Sequence, residues 1–123
     1  MYYNYKEGKK KIEEILNNNA EIQKKEIPKD DSNYTYDNGI KSWIGSIFAD
    51  IVGSKKLIEG EKDIVVAKVL RSFTSEIISI MNSNDNVRQI GVFEDCVYGV
   101  FSVPYQSDIY ELLTISTYIN CLI

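Results

Sequence analysis

The chain has 123 residues, is 44% hydrophobic and 26% charged, and carries a formal net charge of −4. That length allows one domain burying roughly two-thirds of the unfolded chain's surface, and the negative balance argues against a general nucleic-acid binder. No apolar run approaches the roughly 18 residues of a membrane span, and Met1-Tyr2-Tyr3-Asn4 is no signal peptide. Two cysteines, Cys96 and Cys121, with no histidine, exclude the usual zinc sites. They read as reduced thiols of a cytoplasmic protein. Any metal must then be a hard cation held by oxygen, and any general base must be something other than imidazole.

In chain order, Lys6 to about Gln23 spaces Ile12, Ile15, Leu16 and Ile22 as an amphipathic helix, weakened by Asn17-Asn18-Asn19. Glu26 to Asn33 reads as a linker, Tyr34-Thr35-Tyr36 as an extended piece and Asp37-Asn38-Gly39 as a turn. Trp43 to Ala49 is an apolar run of strand length, expected to be a buried strand, with Asp50 where it runs out. A carboxylate there is costly to desolvate unless a cation or hydrogen bonds meet it. The following Ile51-Val52-Gly53-Ser54 can turn backbone N–H groups towards an anion, Gly53 allowing close approach. Taken alone, Asp50 reads more simply as a residue capping a turn.

Lys55 to Lys62 is short, irregular or helical, and broken by Gly60. Asp63 to Met81 is the strongest helical pattern, with Val66, Leu70, Phe73, Ile77 and Ile80 on one face and Val69 and Met81 widening it. Asn82 to Asn86 is a loop. Val87 to Phe93 and Cys96 to Val103 form a hairpin around Glu94-Asp95. Cys96, Tyr98 and Val100 share one face of the return strand, Val97, Phe101 and Val103 the other. Both faces are apolar, which predicts a central strand. After Pro104, Ser107 or Asp108 is expected to cap a helix bearing Ile109, Leu112, Leu113, Ile115, Ile119 and Leu122, with Glu111 completing a capping box.

The order is β-α-β-β-α, so the fold class is α+β, one strand short of a ferredoxin-like unit. Cys121-Leu122-Ile123 is apolar to the last residue, without a C-cap. A chain cut within its domain, or completed by another chain, is expected. So is an inactive 123-residue fragment with an unpaired sheet edge and Ile119, Leu122 and Ile123 exposed. In this topology Asp50 and Asp95 are neighbours at the ends of adjacent strands. Two such carboxylates share a proton or hold a cation, and Mg²⁺ or Mn²⁺ suits oxygen ligands and could bridge to nucleotide phosphates.

Phe48-Ala49-Asp50-Ile51-Val52-Gly53-Ser54 resembles the first metal motif of class III nucleotide cyclases. Ile90 to Phe101, running Ile-Gly-Val-Phe-Glu-Asp-Cys-Val-Tyr-Gly-Val-Phe, resembles the hairpin presenting their second metal aspartate. Asp37 to Ile119 is more closely similar to the bacterial pyrimidine (uridylate or cytidylate) cyclases of anti-phage signalling. The Lys9-Lys10-Lys11-Ile12-Glu13-Glu14-Ile15-Leu16 start and the Asp37-Asn38-Gly39 turn are similar too.

The resemblance implies residues 1–36 as an N-terminal helix and linker, and 37–123 as a catalytic domain of ferredoxin-like class III cyclase fold, incomplete at its C-terminus. Asp50 and Asp95 would hold two divalent ions (Mg²⁺ or Mn²⁺), with the Ile51 carbonyl as a further ligand. Backbone N–H groups of Val52, Gly53 and Ser54 would cradle the triphosphate. The ribose 3′ oxygen would attack the α-phosphate and expel pyrophosphate, and active sites would form between the subunits of a homodimer. Purine cyclases carry a base-reading Lys or Glu where this chain has Gly91, which favours a pyrimidine. No base-binding residue is thereby assigned. The family usually has Gly where this chain has Glu94, and its transition-state Asn and Arg would lie beyond Ile123. A purine cyclase, or a cyclase-like module that binds without turnover, are the other readings; nucleotide hydrolysis or polymerisation ranks behind them.

Overall fold

The structure is a computed structural model that describes residues 2–19, 21–24, 26–30 and 38–122. The chain divides into two compact units, Met1–Ser42 and Trp43–Ile123.

In the first unit, helix α1 spans Tyr5–Asn17. Asn4 opens it, its Oδ1 accepting from the Lys6 and Glu7 N–H groups at 3.2 and 3.3 Å. This satisfies two of the N–H groups that a helix start leaves orphaned. The helix stops within the asparagine run, with Asn18 extended at its C-cap. The expected continuation to Gln23 is therefore corrected. Glu21–Lys24 is instead strand β1, paired in parallel with β2, Asn38–Lys41, so that Ile22 faces Gly39 in the register. Asn38 and Gly39, expected in a turn, belong to that strand. Asparagine's side chain competes for backbone hydrogen bonds, which ends the helix, while a partner strand many residues away captures Ile22. The expected extended piece Tyr34-Thr35-Tyr36, the end of the linker (31–33) and Asp37 lie outside the described residues.

The second unit runs strand β3 (Ile44–Asp50), helix α2 (Ser54–Gly60), helix α3 (Asp63–Asn82), strands β4 (Val87–Phe93) and β5 (Cys96–Ser102), and helix α4 (Gln106–Asn120). It is an α+β arrangement in the expected order, with the segment between the first two strands split into two helices at Gly60. The strands form an antiparallel sheet in the order β3-β5-β4. The return strand of the hairpin is therefore central, as its apolar pattern predicts.

Among the described residues of this unit, helices α3 and α4 cover one face of the sheet. Ala49, Val97 and Phe101 point towards Ile77 and Met81 of α3 and Ile115 of α4, and with Val103 they make the buried core. Polar bonds fasten α4. Asn86 Nδ2 donates to Asp108 Oδ1 at 2.7 Å and Asn84 Nδ2 donates to Glu111 Oε2 at 3.0 Å. The N-cap of α4 is Tyr105, so neither Ser107 nor Asp108 caps it. Asp108 is instead the third helical residue, its Oδ2 accepting from the Tyr105 N–H at 2.9 Å. The box closes three residues earlier than expected, Tyr105 with Asp108 in place of Asp108 with Glu111, because helix begins directly after Pro104.

Within this unit, no described helix lies over the opposite face. Ile44, Phe48 and Phe93 are 55%, 70% and 69% exposed. The expectation of a fully buried β3 is thus corrected: alternate residues face water. Ile119 and Leu122, expected to be exposed, pack against the core; Ile123 lies outside the described residues.

Candidate active site

The site sits where β3 ends and the β4–β5 hairpin turns. Asp50 is the last residue of β3 and pairs with Cys96, the first of β5. Asp95 precedes Cys96 in the turn. The two aspartates are thus one cross-strand step and one residue apart, at the same end of the sheet. Asp50 is exposed and Asp95 half-buried. Neither lies in a helix or a core, so the carboxylates remain accessible to a ligand from solvent.

Ile51-Val52-Gly53 turns the chain from β3 into α2. Gly53 holds φ at 79°, the left-handed region that a side chain disfavours. That turn places Ser54 inwards, 7% exposed, with its Oγ donating a short hydrogen bond to Asp95 Oδ2. Ser54 N–H donates to the Ile51 carbonyl at 3.3 Å, so this amide is already committed. Val52 and Gly53 N–H make no hydrogen bond to a described residue, and Val52 is 94% exposed. Of the three expected phosphate-binding amides, these two are presented to solvent. The Ile51 carbonyl keeps one lone pair beyond its bond to Ser54.

Cys96 lies between the aspartates. Its burial, then the hydrogen bond and charge of Asp50 and the charge of Asp95, push its thiol above the ordinary 9.0, against a smaller lowering from the Ala49 backbone. Both carboxylates therefore act on the same sulfur. Among the described residues no group of three or more His, Cys, Asp or Glu side chains converges as a metal cluster. The donor set available to a cation is two carboxylates and a backbone carbonyl, all oxygen, which fits Mg²⁺ or Mn²⁺ completed by water or phosphate oxygens and does not fit zinc.

Glu94 adopts φ 55°. A two-residue hairpin matched to strand twist needs a positive φ at its first position, normally supplied by Gly, Asn or Asp. The turn keeps that conformation despite the side chain. Sequence reasoning missed two features. One is Ser54 as the group that fixes Asp95, which no motif spacing signals. The other is Tyr98, whose ring covers Gly91: a Cβ added at Gly91 would overlap Tyr98 Cζ and its hydroxyl oxygen. The signal available for it was the hairpin register alone.

Compared with known proteins, the chain is 44% identical over 124 residues to a protein named uridylate cyclase from Treponema porcinum. The alignment takes in 100% of this chain and 43% of that protein. The chain is similar to uridylate cyclases. A second protein of that name, from Gulbenkiania mobilis, is 27% identical over 125 residues, 98% of this chain and 48% of the relative. The chain thus spans about half the length of the curated relatives it matches. No protein-family model and no solved structure matches it. No helix among the described residues is long and apolar enough to cross a membrane.

Proposed function

We propose that the chain is catalytic sequence of a pyrimidine nucleotide cyclase with a ferredoxin-like class III cyclase fold, converting UTP or CTP to the 3′,5′-cyclic monophosphate and pyrophosphate. The observation that carries the reading is the meeting of Asp50 and Asp95 at one sheet end, beside the Ile51–Ser54 turn. Similarity to proteins named uridylate cyclase supports the choice of substrate class.

In this reading the 3′ oxygen bonds to the α-phosphorus, the bond to the bridging oxygen of the β-phosphate breaks, and the hydroxyl proton leaves to water. Two divalent cations, Mg²⁺ or Mn²⁺, would supply charge neutralisation at the attacking and leaving oxygens. The chain's own part is placement. Asp50 and Asp95 would hold the cations, with the Ile51 carbonyl beside them. Ser54 holds Asp95 in one orientation, so little reorganisation is needed when the ligand arrives. The solvent-facing Val52 and Gly53 N–H groups would receive phosphate oxygens, joined by Ser54 N–H if its bond to Ile51 yields. The exposed Ile44, Phe48 and Phe93 on the open sheet face support a homodimer closing over the site. Sequence resemblance is what supports a cytoplasmic second-messenger role in anti-phage defence.

The test is incubation of the purified full-length protein with each of the four nucleoside triphosphates and Mg²⁺ or Mn²⁺, with products identified by chromatography. A cyclic pyrimidine product that disappears with chelator, and in Asp50→Ala and Asp95→Ala, is expected. Both variants should keep the wild-type circular dichroism, since neither carboxylate supports the core. A dominant cyclic AMP or cyclic GMP peak would refute the substrate. Binding without any product would support a non-catalytic module instead.

A further inference from the structure

Lys55 and Lys56 are the second and third residues of α2, and both are exposed. Neither makes a hydrogen bond or ion pair with a described residue. The first turn of α2 holds no acidic residue. That is the reverse of the usual arrangement, because the unpaired N–H groups of a first turn favour a negative side chain and disfavour a positive one. Two adjacent ammonium groups also repel each other, and no described carboxylate pairs with either. A local rule broken without a structural gain points to a functional position.

In a helix each Cα–Cβ bond tilts towards the N-terminus, so a side chain covers the turn before its own Cα. For Lys55 and Lys56 that turn is the Ile51-Val52-Gly53 segment, where the Val52 and Gly53 N–H groups are presented to solvent. We infer that Lys55 and Lys56 are substrate-binding residues whose ammonium groups contact the β- and γ-phosphates of the nucleoside triphosphate. This deepens the cyclase reading and rests on it. The charges then balance. The triphosphate brings about four negative charges and the Asp50 and Asp95 carboxylates two more; two divalent cations would return four, and the two ammonium groups supply the rest. The bridging oxygen on the β-phosphate gains charge as its bond to the α-phosphorus breaks, so a cation held there favours the transition state over bound substrate. The lysines also offset locally the chain's net charge of −4, which by itself repels a polyphosphate. The plainer account is that both are solvated surface charges. A solvated lysine acts on any anionic ligand through a screened field, whereas a phosphate contact acts only on ligands that carry the distal phosphates.

The experiment measures competition of UTP and UMP against a fluorescent nucleotide, a readout that needs no turnover, and kcat/KM for UTP. It compares the full-length wild type with Lys55→Met/Lys56→Met, Lys55→Arg/Lys56→Arg and Lys68→Met. Lys68 is exposed on α3 and controls for a change in net charge. The methionine pair should weaken UTP binding about tenfold, the scale of one lost hydrogen bond to a charged group. UMP binding should be unaltered, and kcat/KM should fall by at least the factor seen for UTP binding. The arginine pair keeps the charge and should keep the UTP-to-UMP ratio, and Lys68→Met should change neither ligand. Both lysines are exposed and unbonded in the fold, so every variant should keep the wild-type circular dichroism. An unchanged ratio in the methionine pair, an equal loss for UTP and UMP, or a loss of the same size in Lys68→Met would overturn the proposal. So would an arginine pair as impaired as the methionine pair, since charge would then not be what binds. If the wild type makes a cyclic pyrimidine and the ratio does not move, only this inference fails. If the wild type makes no cyclic pyrimidine, the cyclase reading fails, and the binding competition still decides the two lysines.

Discussion

Glu94 occupies left-handed backbone space with φ 55°, which costs a non-glycine residue roughly 1–2 kcal/mol. Glycine there would give back about 0.5–1 kcal/mol through its looser unfolded state. Glu94→Gly should therefore stabilise the protein by roughly 0.5–1 kcal/mol, read as a higher urea midpoint; a lower midpoint would mean that the glutamate side chain makes a compensating bond. Ser54 acts at the same scale. Its buried hydroxyl donates to Asp95, and removing a partner that orients a metal ligand typically weakens metal binding 10–100-fold. If Asp95 holds a cation as proposed, Ser54→Ala should raise the Mg²⁺ or Mn²⁺ concentration needed for half-maximal activity by about that factor, and an unchanged metal titration would deny it the role. Cys96 has a raised pKa, so its protonated form is favoured in the fold. Its contribution to stability is present below the ordinary 9.0 and is lost as pH rises through the folded value. With chelator present, stability should decline above that pH, and the decline should be smaller in Cys96→Ala. An identical pH profile in the two proteins would show that the carboxylates do not act on the thiol. The placement of the aspartates was legible in the sequence, because Asp50 ends a strand and Asp95 sits in a hairpin turn. Ser54 and Tyr98 were not, since their partners lie 41 residues away in the chain and across a hairpin register.

Elements were legible where the pattern is local and long. The apolar face of α3 and the hairpin of β4 and β5 follow directly from 3.6- and 2-residue periods. The parallel pairing of β1 with β2 escaped, because Ile22 continues the helical spacing of Ile12, Ile15 and Leu16, and only a distant strand redirects it. The exposure of β3 escaped for a related reason. An apolar run reads as buried on both faces, but whether a second layer covers the outer face is decided by the rest of the fold. On the covered face, α3 approaches β5 closely. A Cβ added at Gly99 would lie 2.8 Å from both Met81 Sδ and Phe101 Cε2, and those two side chains are themselves fully buried. Displacing two fully buried side chains is overpacking, which costs about 1–3 kcal/mol. Gly99→Ala should lower stability by that amount in urea unfolding while leaving the Asp50–Asp95 end of the sheet in place. A neutral result would mean that α3 lifts away without penalty.

At the scale of the whole chain, every buried hydrophobic side chain among the described residues, Ala49, Ile77, Met81, Val97, Phe101, Val103 and Ile115, belongs to Trp43–Ile123. Helix α1 buries none, and β1 and β2 form a two-stranded ladder of exposed and half-buried residues, an arrangement marginal on its own in water. Three strands backed by α3 and α4 are enough for independent stability by the same reasoning. The hydrogen bond that anchors the start of this unit, Val103 N–H to the Trp43 carbonyl at 3.0 Å, falls inside it. A protein lacking Met1–Ser42 should therefore unfold in one cooperative transition, followed by far-ultraviolet circular dichroism, with its stability within about 1 kcal/mol of the parent, as expected when the removed part supplies no buried hydrophobic side chain among the described residues. A broad, non-cooperative loss of signal, or a fall of several kcal/mol, would place part of the folding information in the first unit. That outcome would require side chains of α1, β1 or β2 to complete the core of the second.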